Sequence, residues 1–247
     1  MKEVVISFEN VTKTYPYYGY ITSGFKNFLL NLPKALNQTR KRFIALENIS
    51  FEVYKGECFG IIGKNGAGKS TLLGLAAGVL KPDSGKIRIK GKVCPLLELG
   101  AGFHPDLTGR ENIILNGILL GMTKREILKK IDEIVEFAEL EEFIDQPIRT
   151  YSSGMLARLG FSVIAHLEPD ILLIDEILAV GDLNFQKKCM KKFESFRKNG
   201  VTILLVSHST DQIKTLCDRA MLIHEHRIKA IGDPKEVCKV YEETLNI

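Results

Sequence analysis

No apolar run in this sequence is long enough to cross a bilayer. The longest near the middle, Leu72 to Leu80, is about half of the roughly 20 residues that a spanning helix needs. The N-terminus, Met1 to Ile6, lacks the apolar core of a signal peptide. The chain is therefore expected in the cytosol and is not expected to cross a membrane itself. Cysteine is sparse: Cys58, Cys94, Cys189, Cys217 and Cys238 are an odd number, and no two form a CxxC pair. That excludes a disulfide framework and a zinc site and reads as free thiols in a reducing compartment. Internal repeats and low-complexity tracts are absent, as is tryptophan. The net charge is only +4, which gives no reason to propose a nucleic-acid partner.

What is present is ordinary globular material. Hydrophobic residues make up 45% and charged residues 26%, which excludes disordered and collagen-like chains. A length of 247 residues suits one large domain, or a core carrying a smaller lobe. Val4–Phe8, Phe51–Val53 and Lys86–Lys90 alternate like strands, and Cys58–Ile62 is a short apolar run. Ile171–Ile174 and Val201–Val206 lack alternation, which suits strands buried on both faces. Helical signals between them predict an α/β architecture with a substantial parallel sheet.

From Thr108 to about His166 the pattern is helix after helix. Thr108-Gly-Arg-Glu111 and Thr123-Lys-Arg-Glu126 both read as capping boxes. Apolar residues then recur at Ile127, Ile131, Ile134, Val135 and Ala138, a helical stripe. This predicts a helical lobe inserted into the α/β core. Asp233 followed by Pro234 opens a last helix, with an acid at the cap and proline at its first position.

The chemistry begins with Gly63-Lys-Asn-Gly-Ala-Gly-Lys69-Ser70, a GxxxxGK[ST] match after an apolar strand and before an apolar helix. Gly63, Gly66 and Gly68 let the backbone wrap, so that the N–H groups of the loop, Asn65 and Ala67 included, point inward at phosphate oxygens. The helix start at Lys69, Ser70 and Thr71 adds about half a unit of positive charge. Lys69 is expected to reach the β- and γ-phosphates, and the Ser70 hydroxyl to bind Mg²⁺. The strand Ile171–Ile174 ends in Asp175-Glu176, where ligands sit in open α/β sheets. Asp175 suits a Mg²⁺ role, and Glu176 the base or orienter of an attacking water. A third strand, Thr202–Val206, ends in Ser207-His208 at the same edge. There His208 would face the γ-phosphate.

These residues, in this order, resemble the ATP-binding subunits of ABC transporters, over nearly the whole chain. Tyr151-Ser152-Ser153-Gly154-Met155 looks like a degenerate form of that family's LSGGQ signature, Ala179-Val180-Gly181-Asp182 like its D-loop, and His208 like its switch histidine. Val11 to Tyr15 looks like its adenine-stacking segment, with Tyr15 as the platform. The resemblance implies a P-loop core over 1–97 and 168–247, with an N-terminal antiparallel β portion and a helical lobe at about 98–167. It also implies a head-to-tail homodimer that sandwiches two ATP molecules, each held between one subunit's phosphate loop and Ser153 and Gly154 of the other, with Asp182 nearby. Where most relatives carry a loop glutamine, the segment 95–105 has none. Glu98 is the nearest polar candidate for its contact with Mg²⁺.

An insertion is expected at about 16–43. It holds Lys26, Lys34, Arg40, Lys41, Arg42 and several aromatics, with no acid. Phe25, Phe28, Leu29 and Leu32 fit a short helical face before Pro33. It reads either as a solvated basic loop or as an element facing anionic headgroups or a membrane subunit. Together with segments 98–105, 151–155 and 178–182, it resembles the ATPases of bacterial polysaccharide exporters, which move O-antigen, capsule or teichoic-acid polymers. That implies integral membrane permease subunits received near Phe103, a lipid-linked polysaccharide as indirect partner, and a place on the cytoplasmic face of the inner membrane. The alternatives are a soluble ABC-type ATPase in DNA repair or translation, an ATPase serving a non-glycan exporter, or a binding-only module.

Overall fold

The computed structural model describes residues 2–16, 42–96, 100, 102–175 and 181–245. Nine strands and seven α-helices lie among them. Strands β1 (Val4–Pro16), β2 (Arg42–Tyr54) and β4 (Ser84–Ile89) form an antiparallel sheet in the order β2-β1-β4. The second sheet runs β5-β6-β7-β3-β8-β9, built from β3 (Cys58–Ile62), β5 (Val93–Leu96), β6 (Ile171–Asp175), β7 (Thr202–Val206), β8 (Arg219–His224) and β9 (Arg227–Gly232). All neighbours in it are parallel except β9, which returns antiparallel to β8.

The strands without alternation are apolar because both faces of this sheet are covered. Ile171, Leu173, Leu204 and Val206 face one core, with Leu72, Leu73 and the antiparallel sheet's Ile6, Phe8 and Ile49. Leu172, Ile174, Ile203 and Leu205 face the other, with Phe193, Phe196 and the helical segment. Helix α1 (Lys69–Ala76) lies in the first layer, whereas α5 (Leu183–Lys198) supplies Phe193 and Phe196 to the second. Helices α6 (Thr210–Leu216) and α7 (Pro234–Leu245) cover β3 and β8.

Between β5 and β6 come α2 (Gly109–Leu119), α3 (Lys124–Ala138), a 3-10 turn at Ile148–Thr150 and α4 (Ser153–Ala165). Both predicted capping boxes form, with the Thr108 and Thr123 hydroxyls accepting from Glu111 and Glu126 N–H groups. The predicted stripe of α3 is buried, from Ile127 to Ala138. The Asp233 carboxylate accepts from the N–H groups of Lys235 and Glu236, capping α7 as expected.

The structure differs from the sequence reading in three places. β1 continues from Phe8 to Pro16, and β2 starts at Arg42, so Pro16, Arg42 and Phe43 are rungs of a ladder rather than parts of an insertion. Residues 17–41, which carry Phe25, Phe28, Leu29, Leu32, Arg40 and Lys41, lie outside the described residues. β5 was not among the predicted strands; its Pro95, which cannot donate to a ladder, is tolerated because β5 is a sheet edge. The β8–β9 hairpin also went unread. Its turn residues, Glu225 and His226, take positive φ of 47° and 66° without the glycine or asparagine that normally marks such a turn.

Candidate nucleotide site

Strand register brings the candidate residues to one sheet edge. Ile61 of β3 pairs with Val206 of β7, and Val206 pairs with Asp175 of β6. Gly63, Asp175 and Ser207-His208 therefore leave the parallel strands side by side, at their C-terminal ends. His208 is exposed there. Behind it, Ser209 caps α6 and the Ser207 hydroxyl donates to the Gln212 side chain at 2.7 Å.

The loop from Gly63 to Gly68 wraps tightly. Gly66 and Gly68 take φ of +80° and +107°, a region that L side chains rarely adopt. A Cβ on Gly68 would also stand 2.3 Å from the Ala45 carbonyl oxygen, so β2 closes directly over the loop. Lys69 is buried, and its ammonium donates to the carbonyls of Gly63 at 2.8 Å and Lys64 at 3.1 Å. Helix α1 starts with no side-chain cap and no acid in its first turn. Its first N–H groups and the positive end of its dipole are thus left for an anion. On the far side, the Ser70 hydroxyl donates to the Asp175 carboxylate at 3.3 Å.

A cleft of about 600 Å³ opens over these groups. Its phosphate-like end is lined by Asn65, Gly66, Gly68, Lys69, Ser70, Thr71 and Asp175, as the sequence pattern led us to expect. Its other end is lined by Tyr15, Phe43 and Ala45. Tyr15 was expected; Phe43 and Ala45 were not, because only the ladder places Phe43 opposite Tyr15. The Lys13 ammonium lies 5.6 Å from the Tyr15 ring centroid and is tied to the Lys81 carbonyl at 2.7 Å. Asp83 pins the strand just before Tyr15, accepting from the Thr14 N–H and hydroxyl at 2.6 and 2.7 Å and facing Arg42 at 3.3 Å. The Thr14 hydroxyl above all, then its N–H and the charges of Lys13 and Arg42, hold the Asp83 carboxyl below the usual aspartate range.

Ser153 and Gly154 are not part of this cleft's lining. They stand in the first turn of α4, where the Ser152 hydroxyl accepts from Met155 N–H at 3.2 Å. Asp182 is likewise outside the lining and caps α5, accepting from Asn184 and Phe185 N–H groups at 2.9 Å. Its carboxyl is held low, chiefly by the Phe185 N–H, and it forms an ion pair with Arg158. Arg158 also bonds Glu139 at 3.2 Å, which in turn pairs with Lys188. This network ties α4 and the end of α3 to the start of α5. Sequence reading missed Arg158, since nothing local marks an arginine that bridges three elements. Glu176, Glu98 and residues 178–180 lie outside the described residues.

All five cysteines are free thiols, four of them buried. No group of three or more potential metal-ligating His, Cys, Asp or Glu residues occurs among the described residues, and none of the described helices is long and apolar enough to cross a membrane.

Residues 46–179 match the family described as ABC transporter. The chain is 52% identical to an O-antigen export system ATP-binding protein, RfbB, of Klebsiella pneumoniae, over 98% of this chain and 99% of that one. It is 44% identical to a teichoic acids export ATP-binding protein, TagH, of Bacillus anthracis, over 97% of this chain and 43% of that one. Its fold is similar to that of a bacterial ABC transporter cassette solved as a dimer, with a TM-score of 0.72 at 23% identity, covering 93% of this chain and 98% of the other.

Proposed function

The chain belongs to the ABC transporter family, and from that premise we propose that it is the ATP-hydrolysing subunit driving export of a polysaccharide, of the O-antigen or teichoic-acid kind, through a separate membrane permease. The observation that carries the reading is full-length similarity at 52% identity to an O-antigen export ATPase, joined to a cleft in which Lys69, Ser70 and Asp175 converge. The DNA-repair and translation alternatives have no such support.

In this reading the γ-phosphate lies over the phosphate loop, held by backbone N–H groups, the α1 N-terminus and Lys69. An incoming phosphate oxygen would replace the Gly63 and Lys64 carbonyls as partner of the Lys69 ammonium. Glu176 orients a water and takes its proton as the water oxygen bonds to the γ-phosphorus. The bond from that phosphorus to the β–γ bridging oxygen breaks, leaving ADP and phosphate. His208, at the same edge, holds the γ-phosphate side of the site. Magnesium is the metal the family implies, and the donors fit: a hydroxyl and a carboxylate, hard oxygens only, two in number. That suits an ion that keeps most of its shell for water and substrate phosphate. Ser70 and Asp175 would hold it, with Glu98 as a further candidate, and it would neutralise charge on the phosphate oxygens.

Ser153, Gly154 and Asp182 take their nucleotide roles in a head-to-tail dimer. Their absence from the lining of the chain's own cleft supports this, since the α4 N-terminus is a second anion-binding end that could meet another copy's ATP. An integral membrane permease completes the machine and holds this subunit at the cytoplasmic face of the inner membrane. The basic, acid-free segment at 17–41 is proposed to meet that permease or anionic headgroups. Because Arg42 is committed to Thr14 and Asp83, charge reversal should be confined to Arg40 and Lys41. It is expected to impair export and leave ATP hydrolysis by the purified subunit intact; unchanged export would remove the role.

The test of the main reading is a deletion strain assayed for lipid-linked polysaccharide on the cytoplasmic side. Accumulation relieved by the wild-type gene, but not by Lys69→Ala or Glu176→Gln, is the expected result. Normal surface glycan without accumulation would overturn the substrate.

A further inference from the structure

Phe43 is a large aromatic that the fold leaves 47% exposed, in the lining of the cleft. It is Tyr15's direct partner across the β1–β2 ladder, and directly opposed residues present their side chains on the same face. Both line the same end of the cleft. Ala45, the extra residue where the ladder shifts register between Ile44 and Leu46, lines it as well and sets its carbonyl against Gly68 of the phosphate loop. β2 thus fixes the span from the Phe43 ring to the phosphate end.

The ring is braced from behind. His226, in the β8–β9 turn, meets Phe43 edge-on at 5.1 Å and 85°. That turn is bolted to β2 by the Glu47 N–H donating to the His226 carbonyl at 2.8 Å and by the Arg227–Glu47 ion pair at 2.7 Å. The His226 ring lies 3.2 Å from the Ala45 carbonyl. Tyr15 is braced in the same manner by Lys13. Each ring is therefore held by a neighbour, His226 or Lys13, and lines the cleft, an arrangement that serves a flat apolar group between or across them.

We propose that Phe43 is a second base-binding residue, so that the nucleotide base is held by an aromatic pair from the two strands of one hairpin rather than by Tyr15 alone. The proposal rests on the reading of the cleft as a nucleotide site. It extends that reading to a residue that composition and motif spacing do not mark, and it places base contact one rung before the Pro16–Arg42 pair that brackets residues 17–41.

The test separates base from phosphate. Binding of Mg-ATP and of base-free inorganic tripolyphosphate would be titrated by calorimetry with the purified full chain. Phe43→Ala is expected to weaken ATP roughly tenfold and leave tripolyphosphate unchanged, the scale of one aromatic–base stack. Phe43→Leu, which keeps an apolar side chain without the ring, should behave like Phe43→Ala and guards against misfolding as the cause. Phe43→Trp should restore ATP affinity. Because the chain has no tryptophan, that variant carries a single indole whose emission should respond to ATP and not to tripolyphosphate. Wild-type ATP affinity in Phe43→Ala, or equal weakening of both ligands, overturns the proposal. Lys69→Ala discriminates the deeper failure. If it spares both ligands, the cleft is not the nucleotide site and the proposal falls with it. If it weakens both while Phe43→Ala changes nothing, only the role of Phe43 falls.

Discussion

Replacing Gly68 with alanine should damage the protein more than replacing Gly66, although both lie in the same loop with positive φ. At Gly66 a Cβ meets nothing within 4 Å, so only the backbone conformation is penalised, by about 1–2 kcal/mol. At Gly68, with φ +107°, the same penalty applies and a Cβ would lie 2.3 Å from the Ala45 carbonyl and 2.7 Å from Leu46 Cδ2. The nearest obstacle is backbone, held in the β1–β2 ladder and unable to rotate away, so roughly 1 Å must be found by moving the loop or β2. Overpacking of that kind costs about 1–3 kcal/mol, which brings Gly68→Ala to about 2–5 kcal/mol in all. For a chain of this length each kcal/mol lowers the melting temperature by about 2–4 °C. Gly66→Ala should therefore lose roughly 2–8 °C and Gly68→Ala roughly 4–20 °C. Displacement of the phosphate-binding N–H groups by about 1 Å should also cost on the order of 100-fold in catalysis. Differential scanning fluorimetry and steady-state ATPase assays on the two variants read both effects. If Gly68→Ala melts with Gly66→Ala and hydrolyses ATP equally well, the close approach of β2 to the loop does not shape the site.

Asp175→Asn should raise the Mg²⁺ concentration needed for half-maximal hydrolysis at least several-fold, because it removes a negative oxygen beside Ser70; an unmoved Mg²⁺ midpoint would count against the metal role. The Glu126 carboxyl is held below its ordinary 4.5, chiefly by the Thr123 N–H and then by the Thr123 hydroxyl. A group lowered in the folded state stabilises above its unfolded pKa, and that contribution is lost as pH falls through the lower folded value. Glu126→Ala should thus lower the melting temperature at pH 7, with the gap to wild type narrowing as pH falls below the ordinary 4.5; a gap that stays constant on acidification would refute the linkage. Burial pushes the Cys94 and Cys189 thiols up to about 12, so the native chain should react slowly with a thiol reagent at pH 8 and release all five thiols only on denaturation. Rapid native labelling at either position would show that the packing around it opens.

The legible parts of this molecule are those encoded within a few neighbouring residues. A phosphate loop needs glycines, a lysine and a hydroxyl at close spacing, and Gly63 to Ser70 carries them in sequence. Capping boxes are equally local, which is why Thr108 and Thr123 could be placed in advance. The central strands were legible because burial on both faces removes alternation, as in Ile171–Ile174. β5 and the β8–β9 hairpin were not, because Pro95 and the Glu225-His226 turn contradict local preference and are supported by the sheet around them.

Sequence by itself determined the chemistry at the phosphate end: which groups would meet phosphate, which would meet a divalent cation, and that they would gather at the C-terminal ends of parallel strands. Tertiary structure decided what surrounds those groups. Phe43 joins Tyr15 through the register of a hairpin that brackets residues 17–41. Gly68 is confined by the carbonyl of Ala45 from another strand, and Arg158 reaches Asp182 only because α4 packs on α5. Backbone preferences act over one turn or one rung, whereas a contact between distant segments exists only once register and packing have set both partners in space.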